Sequence, residues 1–101
     1  MGTLRVLKSL EKLMPQFMIH QHKNIENLEK FLVHGNFHEI ARLGHIIKGS
    51  AGGYGFSELI EIGNEVELAA QNQDHARTEL SIVKYREYIM NIKFVFVETH
   101  R

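Results

Sequence analysis

The sequence contains no cysteine, which excludes disulfides, thiol catalysis and cysteine-ligated zinc. It has no excess charge of either sign, since 12 Lys and Arg balance 12 Asp and Glu. No global field therefore favours nucleic acid or an anionic membrane as a partner. No apolar run approaches the ~20 residues of a membrane span. The N-terminus lacks a signal-peptide pattern, and Met1-Gly2 lacks the Ser or Thr at position 6 of a myristoylation site. A soluble, cytoplasmic protein is the expectation. Its 101 residues suffice for one compact domain with a real core, taken as 1–101.

What is present is helical periodicity. Leu4, Leu7, Leu10 and Met14 predict a short first helix, stopped by Pro15, which can itself open the next. From Gln16 the spacing of Phe17, Gln21, Ile25, Leu28 and Leu32 continues a long helix to a Gly35 C-cap. Asn36 is a natural N-cap for a third helix, with Glu39 as capping-box partner. Its buried stripe reads Ile40, Leu43, Ile47, Ala51 and Tyr54, and Gly55 closes it.

Ser57 caps a fourth helix with Leu59, Ile62, Val66 and Ala70 inside. Asp74 caps a fifth, carrying Leu80, Val83, Ile89, Met90 and Ile92. The tail Phe94-Val95-Phe96-Val97 has strand composition. It is expected to be a frayed end of the last helix, because a lone strand there lacks a partner. Short loops make neighbouring helices antiparallel. The fold class is all-α: an up-down-up-down four-helix bundle with an additional short N-terminal helix.

Glycine is concentrated in one place, His45-Ile-Ile-Lys48-Gly49-Ser50-Ala51-Gly52-Gly53-Tyr54-Gly55. Each interior helical glycine costs roughly 0.5–1 kcal/mol against alanine, so bare backbone here has a use. With successive residues turning about 100°, His45 lies about 140° from the core direction. Gly52 and Gly49 fall at about 120° and 180°, flanking the imidazole, and Lys48 at about 80°, one turn along. His38 and Arg42 extend the same outward strip. The imidazole is expected to stand on an uncovered helix face beside a cation.

That arrangement suits phosphoryl transfer. A neutral imidazole nitrogen is a competent nucleophile near neutral pH. Lys48 offsets the charge of the phosphoryl oxygens, and Gly49 leaves them space. Gly52, Arg42 and the Ser50 hydroxyl are the candidate flanks of that approach, with Ser50 nearer the core. No lid is needed if another protein brings the rest of the active site.

These residues resemble the histidine-containing phosphotransfer (HPt) family. Its signature is a phosphorylatable histidine, two residues, then Lys-Gly-Ser, a small residue and a later glycine. Here the string is His45, Lys48, Gly49, Ser50, Ala51 and Gly55. The resemblance extends over Met14-Pro15-Gln16-Phe17, the Gly35-Asn36-Phe37 turn and Glu67-Leu68-Ala69-Ala70 before Asp74, roughly residues 14 to 90. Gly44, Gly53 and Tyr54 make the segment richer in glycine and aromatics than an average member.

The resemblance implies that His45 carries the phosphoryl group on its outer ring nitrogen. It implies exchange with aspartates of response-regulator receiver domains, free or within a hybrid sensor kinase. The receiver supplies Mg²⁺, so no cofactor is expected on this chain. Glu67, on the facing helix, takes the position that orients the imidazole and leaves the other nitrogen unprotonated. A receiver is expected to dock around His45 on an apolar patch to which Phe17, Met18 or Phe37 contributes, unless these are core.

Nothing in the chain resembles a nucleotide-binding loop, so a carrier without autokinase activity is expected. Two other readings compete: a module that binds a receiver without being phosphorylated, and a metal-binding bundle. The second is disfavoured, because His20 and His22 point to different sides of a helix and Gly35-Asn36 separates His34 from His38. No metal site is expected.

Overall fold

Four α-helices make up most of the chain in the computed structural model, which describes residues 2–98. They are α1 (Met14–Val33), α2 (Phe37–Tyr54), α3 (Ser57–Gln71) and α4 (His75–Asn91). Together they form a helical bundle. Its core is a continuous apolar cluster that includes Phe17, Leu28, Ile40, Ile47, Leu59, Ile62, Val66, Ile82 and Ile89. Among the described residues no helix is long and apolar enough to cross a membrane.

Local chemistry sets the helix ends. Pro15 occupies the first turn of α1, where its missing amide hydrogen costs nothing. At the far end Gly35 adopts φ 65°, and the amides of Gly35 and Asn36 bond back to the carbonyls of Leu32 and Phe31. This is a Schellman close, with His34 as the C-cap and Gly35 one position beyond it. Asn36 Oδ1 accepts from the Glu39 amide at 3.3 Å, and Gly55 at φ 74° ends α2. The capping box is half made, because the Glu39 carboxylate turns to Arg42. Asp74 caps α4 by accepting from the Arg77 amide.

Ser57 is the first residue of α3, and Phe56 holds the cap position without a side-chain bond. Phe56 is buried and stacks on Tyr54 while meeting Phe17 edge-on. Aromatic packing therefore fixes this turn in place of a hydroxyl cap.

Of the expected N-terminal helix only a six-residue 3-10 helix, Lys8–Leu13, is formed. Leu4–Leu7 is a strand, β1, followed by a 3-10 segment over Lys8–Leu13, and Met14 already belongs to α1. The tail Phe94–Val97 is likewise a strand, β2, not a frayed helix end. The two pair in parallel, Leu4 opposite Phe94 through Leu7 opposite Val97. A parallel pair needs a long crossover, and here the whole bundle supplies it. The partner that the tail seemed to lack lies at the other end of the sequence.

The inner face of α4 also differs from its aliphatic pattern. Thr78, Ser81, Ile82, Tyr85, Tyr88 and Ile89 are buried, while Leu80, Val83 and Met90 are exposed. Two tyrosines carry the apolar area that leucine and valine were expected to supply. The Tyr85 hydroxyl donates to Gln21 Oε1 of α1, which explains a glutamine on a core stripe. Burial pushes the Tyr85 hydroxyl pKa well up.

Candidate functional site

The site lies where α2 and α3 cross closely, and two glycines make the approach. A Cβ added at Gly44 on α2 would lie 2.6 Å from the backbone nitrogen of Glu67. One added at Gly63 on α3 would lie 2.8 Å from the backbone nitrogen of Lys48. Each glycine thus makes room for a polar residue of the opposite helix, so side chains on both reach the same spot.

His45 projects from this crossing with its side chain 69% exposed. Its Nδ1 lies 3.1 Å from Glu67 Oε2. Glu67 is much more covered, at 14%, and its other oxygen, Oε1, lies 2.7 Å from Lys48 Nζ. Lys48 also donates to Asn64 Oδ1 at 3.2 Å. The Lys48 ammonium beside it, then the charge of His45, hold the Glu67 carboxyl below the usual carboxylate range against the opposing effect of burial. An ionised carboxylate only accepts hydrogen bonds. In the neutral ring Nδ1 therefore carries the hydrogen, and Nε2 presents a free lone pair.

The sequence angles put His45 on the outward face, and there it stands. Lys48 crosses to α3, where Glu67 and Asn64 hold its ammonium, and is 31% exposed. Gly49 and Gly52 face open space, with nothing within 4 Å of an added Cβ. Arg42 is exposed and holds Glu39 at 2.7 Å, which lowers the Glu39 pKa and raises its own. Ser50 is half-buried and His38 exposed. Phe17 is core, packed on Tyr54 and Phe56, and is withdrawn from any docking patch. Met18 and Phe37 are half-buried against the core.

Sequence reasoning misses two residues of this arrangement, Asn64 and Gly63, and the contact role of Gly44. In the sequence Gly44 is simply one more glycine of a glycine-rich segment. The available signal was a glycine in mid-helix on the flank of the Leu43 and Ile47 stripe, matched by a second one in α3.

His45 does not sit in a hollow. A cavity of about 660 Å³ lies elsewhere, between the 3-10 segment, the start of α1 and β2, lined by Met14, Pro15, Met18, Phe94 and Phe96. Among the described residues no three His, Asp or Glu side chains gather as metal ligands.

The Hpt domain family model matches residues 12–92, most of the chain. The chain belongs to the Hpt domain family. Comparison with curated proteins and with solved structures gave no match. Hpt domains serve histidine phosphotransfer in two-component signalling; they are phosphoryl carriers rather than enzymes and interact with receiver domains. The open surface around His45 leaves its imidazole within reach of a second folded protein.

Proposed function

We propose that this Hpt domain is a phosphorelay intermediate, accepting a phosphoryl group on His45 Nε2 from a receiver-domain aspartate and passing it to another receiver. The Nε2 lone pair attacks phosphorus in line as the acyl-phosphate P–O bond breaks, and the aspartate leaves as a carboxylate. The hydrogen on Nδ1 stays with the ring, and its bond to Glu67 stabilises the positive charge that builds there. Onward transfer is the reverse step with a different aspartate. Mg²⁺ belongs to the receiver in each exchange.

The observation that carries this reading is the 3.1 Å contact of His45 Nδ1 with a covered, ionised Glu67. It supplies an oriented ring with its nucleophilic nitrogen outward. Lys48 provides positive potential beside the reacting group. Gly49 and Gly52 give the phosphoryl oxygens and the receiver surface room, and Arg42 and Ser50 flank the approach. The helices run up-down-up-down as one phosphotransfer domain, and the chain works in the cytoplasm.

The test is incubation with phosphorylated receiver domains and Mg²⁺. Acid-labile, base-stable label is expected on the wild type and not on His45→Gln. Equal label on His45→Gln overturns the assignment of the acceptor. Binding of a receiver with no label on the wild type favours an interaction module instead.

A further inference from the structure

We infer that Asn64 is a positioning residue of the phosphoryl-transfer site, acting on His45 at second hand through Lys48 and Glu67. The inference deepens the phosphorelay reading and takes its rate prediction from it. Its starting point is the division of the Glu67 carboxylate. One oxygen serves His45 at 3.1 Å and the other serves Lys48 at 2.7 Å. That division lasts only while Lys48 stays where it is.

Lysine is poorly suited to staying. Its four-carbon stem gives up much rotamer entropy when fixed, and about a third of this side chain is in contact with water. The ion pair alone is also badly aligned: Glu67 Oε1 is fully covered, yet no well-angled hydrogen bond reaches it. The aligned bond of the ammonium goes to Asn64 Oδ1. Asn64 and Glu67 are three residues apart on α3, hence neighbours on one helix face. They form a two-point seat, one neutral oxygen and one anionic.

The chemistry fixes the orientation of the amide too. Lysine has donors only, so Asn64 has to turn its oxygen toward Nζ. A carboxylate in the same shape would hold the ammonium as well, and an apolar isostere would not. With the seat lost, Lys48 moves off, Oε1 has no cation, and the carboxylate is free to rotate away from the ring. The ring then samples both tautomers, and the fraction with a free Nε2 falls.

Three substitutions separate these effects: Asn64→Leu, Asn64→Ala and Asn64→Asp. Circular dichroism and thermal melting establish that each is folded. The first reading is the separation of the His45 Nδ1 and Nε2 nitrogen-15 resonances in unphosphorylated protein at about pH 8, above the range where imidazoles titrate. The separation is expected to shrink toward that of free imidazole in Asn64→Leu and Asn64→Ala, and to be kept in Asn64→Asp. The second reading is the single-turnover rate from a saturating phosphorylated receiver. It is expected to fall roughly two- to tenfold in the first two variants, the scale of one lost hydrogen bond, and to recover in Asn64→Asp.

A wild-type ring spectrum in folded Asn64→Leu or Asn64→Ala overturns the inference. So does an Asn64→Asp spectrum as altered as that of Asn64→Leu. The ring spectrum is read without phosphate, so it decides the role of Asn64 by itself. A wild type that takes no label defeats the phosphorelay reading alone.

Discussion

Gly44 of α2 lies against the backbone of Glu67 in α3, so close that a methyl group there would sit 2.6 Å from the Glu67 nitrogen and 3.0 Å from its Cα. Gly63 stands in the same relation to Lys48. Both obstacles are backbone, which cannot swing aside as a flexible side chain does. The helix separation is therefore set by the absence of two side chains, and the reach from Glu67 to His45 depends on it.

Gly44→Ala and Gly63→Ala are expected to force the helices apart. Overpacking of this kind costs about 1–3 kcal/mol, against a helix-propensity gain of at most about 1 kcal/mol. Both variants should melt lower and lose the His45–Glu67 contact, read from the imidazole resonances. Gly53→Ala is the contrast, because its Cβ meets nothing within 4 Å. It should melt at or above the wild-type temperature and keep the contact. A Gly44→Ala protein as stable as Gly53→Ala, with unchanged resonances, would disprove the close-approach account.

Acid should dismantle the site in a definite direction. The folded-state pKa of Glu67 is lowered, chiefly by Lys48. Its contribution to stability is then complete above the range where an unfolded-chain glutamate titrates. It is lost as pH falls through the depressed folded value. Denaturant melts across that acid range should show a shallower stability loss for Glu67→Gln than for the wild type. Lys48→Met should raise the Glu67 pKa, since burial then acts with little opposition; a carboxyl titration by NMR measures it.

The buried hydrogen bond between Tyr85 and Gln21 offers a stability test away from the site. Tyr85→Phe removes the donor and leaves Gln21 Oε1 covered without it. The expected cost is about 1–3 kcal/mol, or a melting temperature lower by several degrees. Gln21→Leu, which removes a buried polar group, combined with Tyr85→Phe should recover much of that loss. Additive losses in the double variant would refute the coupling.

Pairing of β1 with β2 predicts that a change in one strand is felt by the other. Val6 is 1% exposed, and Val6→Ala should cost about 1–3 kcal/mol. Faster amide exchange should follow across Phe94–Val97 as well as around residue 6. Exchange confined to β1 would argue against the pairing.

Local signals carried most of the fold: Pro15, Asn36, Gly55 and Asp74 each mark a helix boundary through chemistry that acts within a turn. The sheet was illegible for the opposite reason. Val6 and Phe96 are partners across the whole intervening bundle, and no periodicity records a partner so remote. On α4 the aliphatic residues misled, because Tyr85 and Tyr88 do the packing while Leu80 is 69% exposed. At the site, the outward angle of His45 followed from helix geometry, as did the open faces of Gly49 and Gly52. Where Lys48 ends up did not, since a long side chain is steered by what faces it across the crossing.

The strand pair also has a kinetic meaning. Its contacts join Leu4 to Phe94, nearly the largest sequence separation the molecule offers, whereas the caps and helical turns close over a few residues. Loop-closure entropy makes such a pairing slow to nucleate. The helices should therefore assemble first and the ribbon zip last. It should also be the earliest part to open, giving a folding chain a late step that leaves the face carrying His45 already built.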